Sequence, residues 1–349
     1  MKKTIILTFL IGISISLKSV AQDVHFSQFQ NTPLLQNASY AGKSGGDIRA
    51  IVNYRSQWGS VTSNPFQTFG ASIDMRFKNN ANDNFLAGGL SMYSGVAGAS
   101  KMRTTLVNLA AAYHIKINNE SYFSGGLQVG FNQKSIDETD LRFDNQFDGT
   151  EHDPGISSNE NLTTLSELKP TVSAGISYMW SDGFGRTATQ SNQGTKKINI
   201  GLAVHHFNSP RFYFSSQDQL GLKYIGNFNG SFGIPSSKWA IQPLAFMALQ
   251  NKAIDAVFGS LFKYTITEGS RLTNFKKSAA IGFGGYYRVG DAVIPTIQLQ
   301  WSSFDLGVSY DINLSQLSGA SNGRGGFEIS LKYISQKSIF GRRSRVRHF

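Results

Sequence analysis

The sequence has no cysteine and only 8 prolines in 349 residues. Without cysteine there is no disulfide scaffold and no thiolate metal site. Mean hydropathy is slightly negative, at -0.21. Beyond residue 21 no run of eighteen apolar residues occurs, which excludes a bundle of membrane helices. Signatures of chemistry are missing too: there is no Gly-x-Ser-x-Gly elbow, no phosphate-binding glycine loop and no His-Glu-x-x-His. The cluster Gly282-Phe283-Gly284-Gly285 lacks the third glycine spacing of a dinucleotide fingerprint. His205 and His206 are neighbours in an expected strand, so they should point to opposite faces and not share a metal. We expect no enzyme, no cofactor and no metal site.

What is present is a chain 40% hydrophobic and 12% aromatic, too apolar to stay disordered. Lys2 and Lys3 precede the apolar run 4–17, which ends in Ser19-Val20-Ala21. That pattern reads as a cleaved secretory signal over residues 1–21, the run being shorter than the ~20 residues of a spanning helix. The net charge of +11 is concentrated at the termini. Without the signal and residues 336–349, 25 basic residues face 22 acidic ones, so the charge describes a basic tail and not a nucleic-acid groove.

The body alternates with period two. In residues 69–77, Phe69, Ala71, Ile73, Met75 and Phe77 share one parity, and Gly70, Ser72, Asp74 and Arg76 the other. The same alternation recurs at 293–301, 305–312 and 327–333. Period two over about ten residues marks strands with a different solvent on each face. A soluble sandwich alternates as well. An outer-membrane barrel is favoured by the export signal, by strands near the ~9 to 11 residues that cross a membrane at a tilt, and by aromatics at strand ends. Trp58, Trp180, Trp239 and Trp301 all fall at expected strand termini, where an indole suits a membrane interface.

We therefore expect an all-β fold, an antiparallel transmembrane barrel of about fourteen strands, with twelve to sixteen in range. The expected strands are 47–57, 65–78, 84–96, 101–117, 121–133, 169–180, 196–207, 219–229, 238–250, 253–265, 276–289, 292–302, 304–313 and 325–334. The chain divides into a signal at 1–21, a periplasmic or lumenal leader at 22–46, the barrel at 47–335 and a basic tail at 336–349. If the first strand runs outward, residues 135–168 form a long external loop, carrying nine carboxylates against one arginine. Such a loop offers oxygen ligands for Ca²⁺, although its spacing is not that of an EF-hand and acidic loops are usually only solvated. The leader suits a lumen plug, a dock for a periplasmic partner, or a strap across the periplasmic rim. The small inward residues Gly201, Ala203, Ala110 and Ala112 would widen a pore or admit a plug. Asp74, Asp305 and Glu328 are expected as lumen charges paired with Arg76, Arg49 or Lys332.

Several segments resemble one family. Residues 22–29, Gln-Asp-Val-His-Phe-Ser-Gln-Phe, are followed by Pro33-Leu34, Tyr40-Ala41-Gly42 and Asn53-Tyr54-Arg55-Ser56-Gln57-Trp58. Together they are similar to the opening of PorP/SprF proteins of the type IX secretion system. Residues 309–315 and 320–331 resemble the closing hairpin of that family, and His206-Phe207-Asn208-Ser209-Pro210 a mid-chain motif. Gln36-Asn37-Ala38 departs from an expected Asn-Pro pair.

The resemblance implies an integral outer-membrane protein of Bacteroidetes that contacts membrane lipid. It also implies partners: an exported cargo with a C-terminal sorting domain, such as a large surface adhesin of the kind used in gliding motility, and periplasmic secretion components. No nucleic acid is implied. His25, Phe26, Phe29, Pro33, Tyr54, Arg55 and Trp58 are the partner-binding residues to which it points. The competing reading of the same pattern is a porin-like or substrate-specific channel. A third is a soluble secreted lectin.

Overall fold

The computed structural model describes residues 25–59, 62–78, 84–98, 100–137, 141–153, 155–159, 166–182, 195–213, 217–268, 277–315 and 318–335. The expected signal and the basic tail lie outside these residues. Sixteen strands occur among them: β1 (Ile48–Gln57), β2 (Phe66–Lys78), β3 (Phe85–Ala97), β4 (Met102–Asn118), β5 (Ser121–Ser135), β6 (Ser166–Ser181), β7 (Lys196–His205), β8 (Arg211–Tyr213), β9 (Gln217–Gln219), β10 (Lys223–Gly233), β11 (Trp239–Gln250), β12 (Ala253–Thr267), β13 (Ala279–Arg288), β14 (Ala292–Trp301), β15 (Phe304–Asn313) and β16 (Arg324–Ile334). Fourteen of them close into one antiparallel barrel in which each strand pairs with its sequence neighbour, and β8 and β9 form a separate small hairpin. Closure joins β1 to β16 over the register from Arg49↔Ile334 to Gln57↔Gly326. The closed barrel leaves no strand edge of its own unpaired, as a hydrocarbon surround demands.

The apolar parity faces outward. Phe69, Ile73 and Phe77 on β2 are exposed while Ser72 and Asp74 are buried, and on β14 Val293, Ile297, Leu299 and Trp301 are exposed while Ile294 and Thr296 are buried. A soluble sandwich would place these faces the other way round, so the outer surface is built for lipid. Three of the tryptophans lie at the end of the barrel where β1 begins: Trp180 and Trp301 close to the last residues of β6 and β14, and Trp239 at the first of β11. Trp58 follows β1 at the opposite end with φ of 59°, its ring centroid 4.7 Å from that of Phe66. We call the end where β1 begins the near end and the other the far end. The long connection 136–165 and the hairpin β8–β9 are at the far end.

Two expected boundaries are corrected. The strand expected at 219–229 is β10, starting at Lys223, because Gln219 belongs to the β8–β9 hairpin. Leu220 and Leu222 continue the apolar spacing through the corner, so the sequence pattern does not mark the break. β7 stops at His205, and His206 takes φ of 60°, which turns its side chain back. Both histidines are consequently buried, with ring centroids 6.1 Å apart, instead of pointing to opposite faces.

Candidate functional site

The lumen is occupied by the protein's own leader. Residues 25–46 run inside the barrel from the far end to the near end, then turn into β1. Near the start, the His25 carbonyl accepts a hydrogen bond from Arg55 Nη1 at 3.0 Å, late in β1. Near the end, Gly42 N donates to Asp74 Oδ2 at 2.7 Å, and Arg76 Nη2 donates to the carbonyls of Gly42 and Ser44 at 3.0 and 3.2 Å. Between them lie two single turns and one short helix, Phe29–Asn31, Pro33–Gln36 and Ala38–Tyr40. These coils satisfy part of the leader's backbone internally, and lumen side chains take much of the rest. The rim strap considered from sequence is thereby replaced by a plug.

Three apolar anchors hold the plug to different walls. Phe29 packs in a cluster with Leu244, Leu261, Tyr286 and Ile294 of β11 to β14, its ring 5.4 Å from Phe246 and 5.7 Å from Tyr286. Leu34, with no exposed surface, joins Ala87 of β3 and Ala110 and Ala112 of β4. Phe26 sits with Tyr93 and Leu106. Burying each such side chain stabilises the seated state by roughly 1.5–3 kcal/mol.

The turn Ala38–Tyr40 requires a wall of small residues. Ala112, Gly126, Gly175 and Ala203 are successive register partners across β4 to β7. A Cβ on Gly126 would strike the backbone of Ala38 and Ser39, one on Gly175 the Asn37 amide, and one on Gly201 the Tyr40 hydroxyl. Asn37, at the departure from the expected pair, caps this turn: its Oδ1 accepts from Ser39 N at 2.9 Å. Its Nδ2 donates to the carbonyls of Ile176 and Leu202 at 3.0 and 3.1 Å. Tyr40 Oη donates to Asn227 at 2.8 Å, and Lys43 Nζ to Ser177 Oγ at 2.8 Å.

At the far end the leader is latched by buried charges. Arg55 Nη2 lies 2.7 Å and Arg288 Nη1 3.1 Å from Asp311 Oδ2, and Glu328 Oε2 is 3.9 Å from Arg55 Nε. Ser27 Oγ donates to Asp311 at 2.7 Å and accepts from Arg288 Nη2 at 2.9 Å. The backbone N–H groups of Ser27 and Gln28 both donate to the Glu328 carboxylate, at 2.6 and 2.9 Å. Separate segments that the sequence singled out therefore converge here: Ser27 and Gln28 from the opening, Arg55 from the first strand, and Asp311 and Glu328 from the closing hairpin. Arg288 completes the cluster from β13 and was not among them. Its inward parity with Tyr286 is the signal that could have found it.

The other lumen charges settle as follows. Asp74 pairs with Arg49 at 2.8 Å and Asp305 with Lys332 at 3.0 Å, both from the expected set, whereas Glu328 pairs with Arg55. His114, also missed from sequence, bridges the Ala41 carbonyl and Ser124 Oγ at 2.8 Å each and stacks on Phe85.

Of the seven residues singled out for partner binding, His25, Phe26, Phe29, Pro33 and Arg55 belong to the plug and its latch. Tyr54 faces outward, opposite Phe69 and Ile329. Trp58 stands at the far rim, its backbone N–H donating to the Gly325 carbonyl at 2.9 Å. In the far-end loop, Asp148 is held below the usual carboxylate range by the backbone N–H groups of Glu151 and Thr150. Among the described residues no three His, Asp or Glu side chains cluster to hold a metal.

The type IX secretion system membrane protein PorP/SprF family model matches residues 18–333. No curated protein matches the sequence. Among solved structures, the monoaromatic hydrocarbon channel CymD is 8% identical with a TM-score of 0.45, over 90% of this chain and 95% of that one. BamA from Haemophilus ducreyi lacking POTRA domains 1-3 is 12% identical with a TM-score of 0.41, over 83% of this chain and 70% of that one.

Proposed function

The chain belongs to the PorP/SprF family of type IX secretion system membrane proteins, a β-barrel of the outer membrane, and from that premise we propose that it is an anchor and docking platform for an exported cargo. The far end faces outward and the near end the periplasm, in keeping with the long acidic connection at the far end. The cargo is a large exported protein with a C-terminal sorting domain, such as an adhesin, held by the far-end loops.

The observation that carries this reading is the plug. A conduit for a polypeptide needs an open lumen, and here residues 25–46 are anchored to walls all round the barrel. A channel reading requires that segment to leave, against three apolar anchors and a charged latch. Contact with a resting partner falls to Trp58 and the far-end loops. His25, Phe26, Phe29, Pro33 and Arg55 act indirectly, by holding the plug that shapes this rim, and Tyr54 meets lipid.

The test is a gentle-detergent pull-down of the tagged protein from native outer membranes, with mass spectrometry of what accompanies it. Recovery of a large exported protein bearing a sorting domain is the expected result. Recovery of the barrel alone would count against the platform.

A further inference from the structure

The near end of the lumen is not filled. A cavity of about 340 Å³ lies between the plug, at Gln30, Gln36 and Lys43, and the wall of β7 and β10 to β16. That volume falls at the lower edge of the range in which ligand sites occur, ~300–1,000 Å³. Five basic side chains line it, Lys43, Arg49, Lys197, Lys263 and Lys332, against the single carboxylate of Asp305. Three are engaged, Arg49 by Asp74, Lys332 by Asp305 and Lys43 by Ser177 and Asn199. Both Lys197 and Lys263 are in the barrel ladder, but their ammonium groups make no hydrogen bond or ion pair among the described residues. They lie within electrostatic reach of each other, and Asp182 acts on Lys197 and Asp305 on Lys263. Gln242 and Gln300 add amide groups to the same wall.

We propose that this vestibule is a binding site for an acidic peptide segment, whose carboxylates pair with Lys197 and Lys263. Two ammonium groups that line the cavity without a partner among the described residues attract an anion, and an ammonium pairs with any oxygen anion as a point charge. The glutamine amides favour a peptide over a bare anion, because each offers a donor and an acceptor to a backbone. The inference builds on the orientation proposed above only for the side it faces, which makes the partner a periplasmic one. The binding itself does not depend on that orientation.

The experiment uses the purified full chain in detergent and fluorescence anisotropy of a fluorescein-labelled pentaglutamate peptide, with pentaglutamine and purified lipid A as comparison ligands. Pentaglutamate should bind, pentaglutamine should not, and the K197Q/K263Q variant should lose about tenfold or more in affinity. The variant's barrel is checked by its unheated gel mobility, and single K197Q and K263Q variants stand in if the double one does not fold. Unchanged affinity in these variants, equal binding of pentaglutamine, or displacement of the peptide by lipid A would each overturn the proposal. Failure here leaves the pull-down result standing, so the two readings are judged separately.

Discussion

Asp311 is the residue on which the latch turns. It receives both buried guanidiniums and the Ser27 hydroxyl. Removing one partner of a buried charge network leaves the others uncompensated, at a cost of about 3–5 kcal/mol. D311A should therefore loosen the plug by about that much, read as earlier proteolytic cleavage within residues 25–46. S27A removes only hydrogen bonds to charged groups and should cost less, about 1.5–3 kcal/mol.

At the scale of elements, the decisive feature is the row of small residues beneath the turn Ala38–Tyr40. Gly125 and Gly126 are adjacent on β5 and make a controlled pair. A Cβ on Gly125 meets nothing within 4 Å, while one on Gly126 meets the plug backbone. G126A should displace the plug and expose it to protease, whereas G125A should leave it protected. The strands themselves were legible in the sequence, because a lipid outside and a lumen inside write period two along each one. All fourteen appear near their expected places, and β10 departs most, where Leu220 and Leu222 carry the alternation through a corner. The small inward residues of β4 and β7 were legible as permissive, but not which of the two outcomes they permit. That depends on the leader, whose single turns are too short to leave any period. The latch was only partly readable: Ser27, Arg55 and Glu328 stood out within segments, but their meeting is a property of barrel closure, which joins β1 to β16.

On the scale of the whole molecule, the leader's direction and the strand orientation are one question. Residue 25 lies at the end that carries the acidic connection, so the plug enters from there and β1 starts at the opposite end. The chain has no native cysteine, so single cysteines report sidedness cleanly. Asp148, in the exposed far-end loop, and Glu120, in the exposed turn between β4 and β5, mark the two ends. D148C should react with a membrane-impermeant maleimide on intact cells, and E120C only after the outer membrane is permeabilised. The reverse pattern would invert the barrel and move the proposed cargo-facing surface to the other end.

The claim that holds the account together is that the seated leader makes this barrel a platform and not a conduit. Planar-bilayer conductance of the purified full chain tests it most directly, with D311A recorded alongside. A barrel that stays closed, and that opens in steps once the latch is broken, is the predicted result. Steady, ion-conducting pores from the unaltered chain would contradict it.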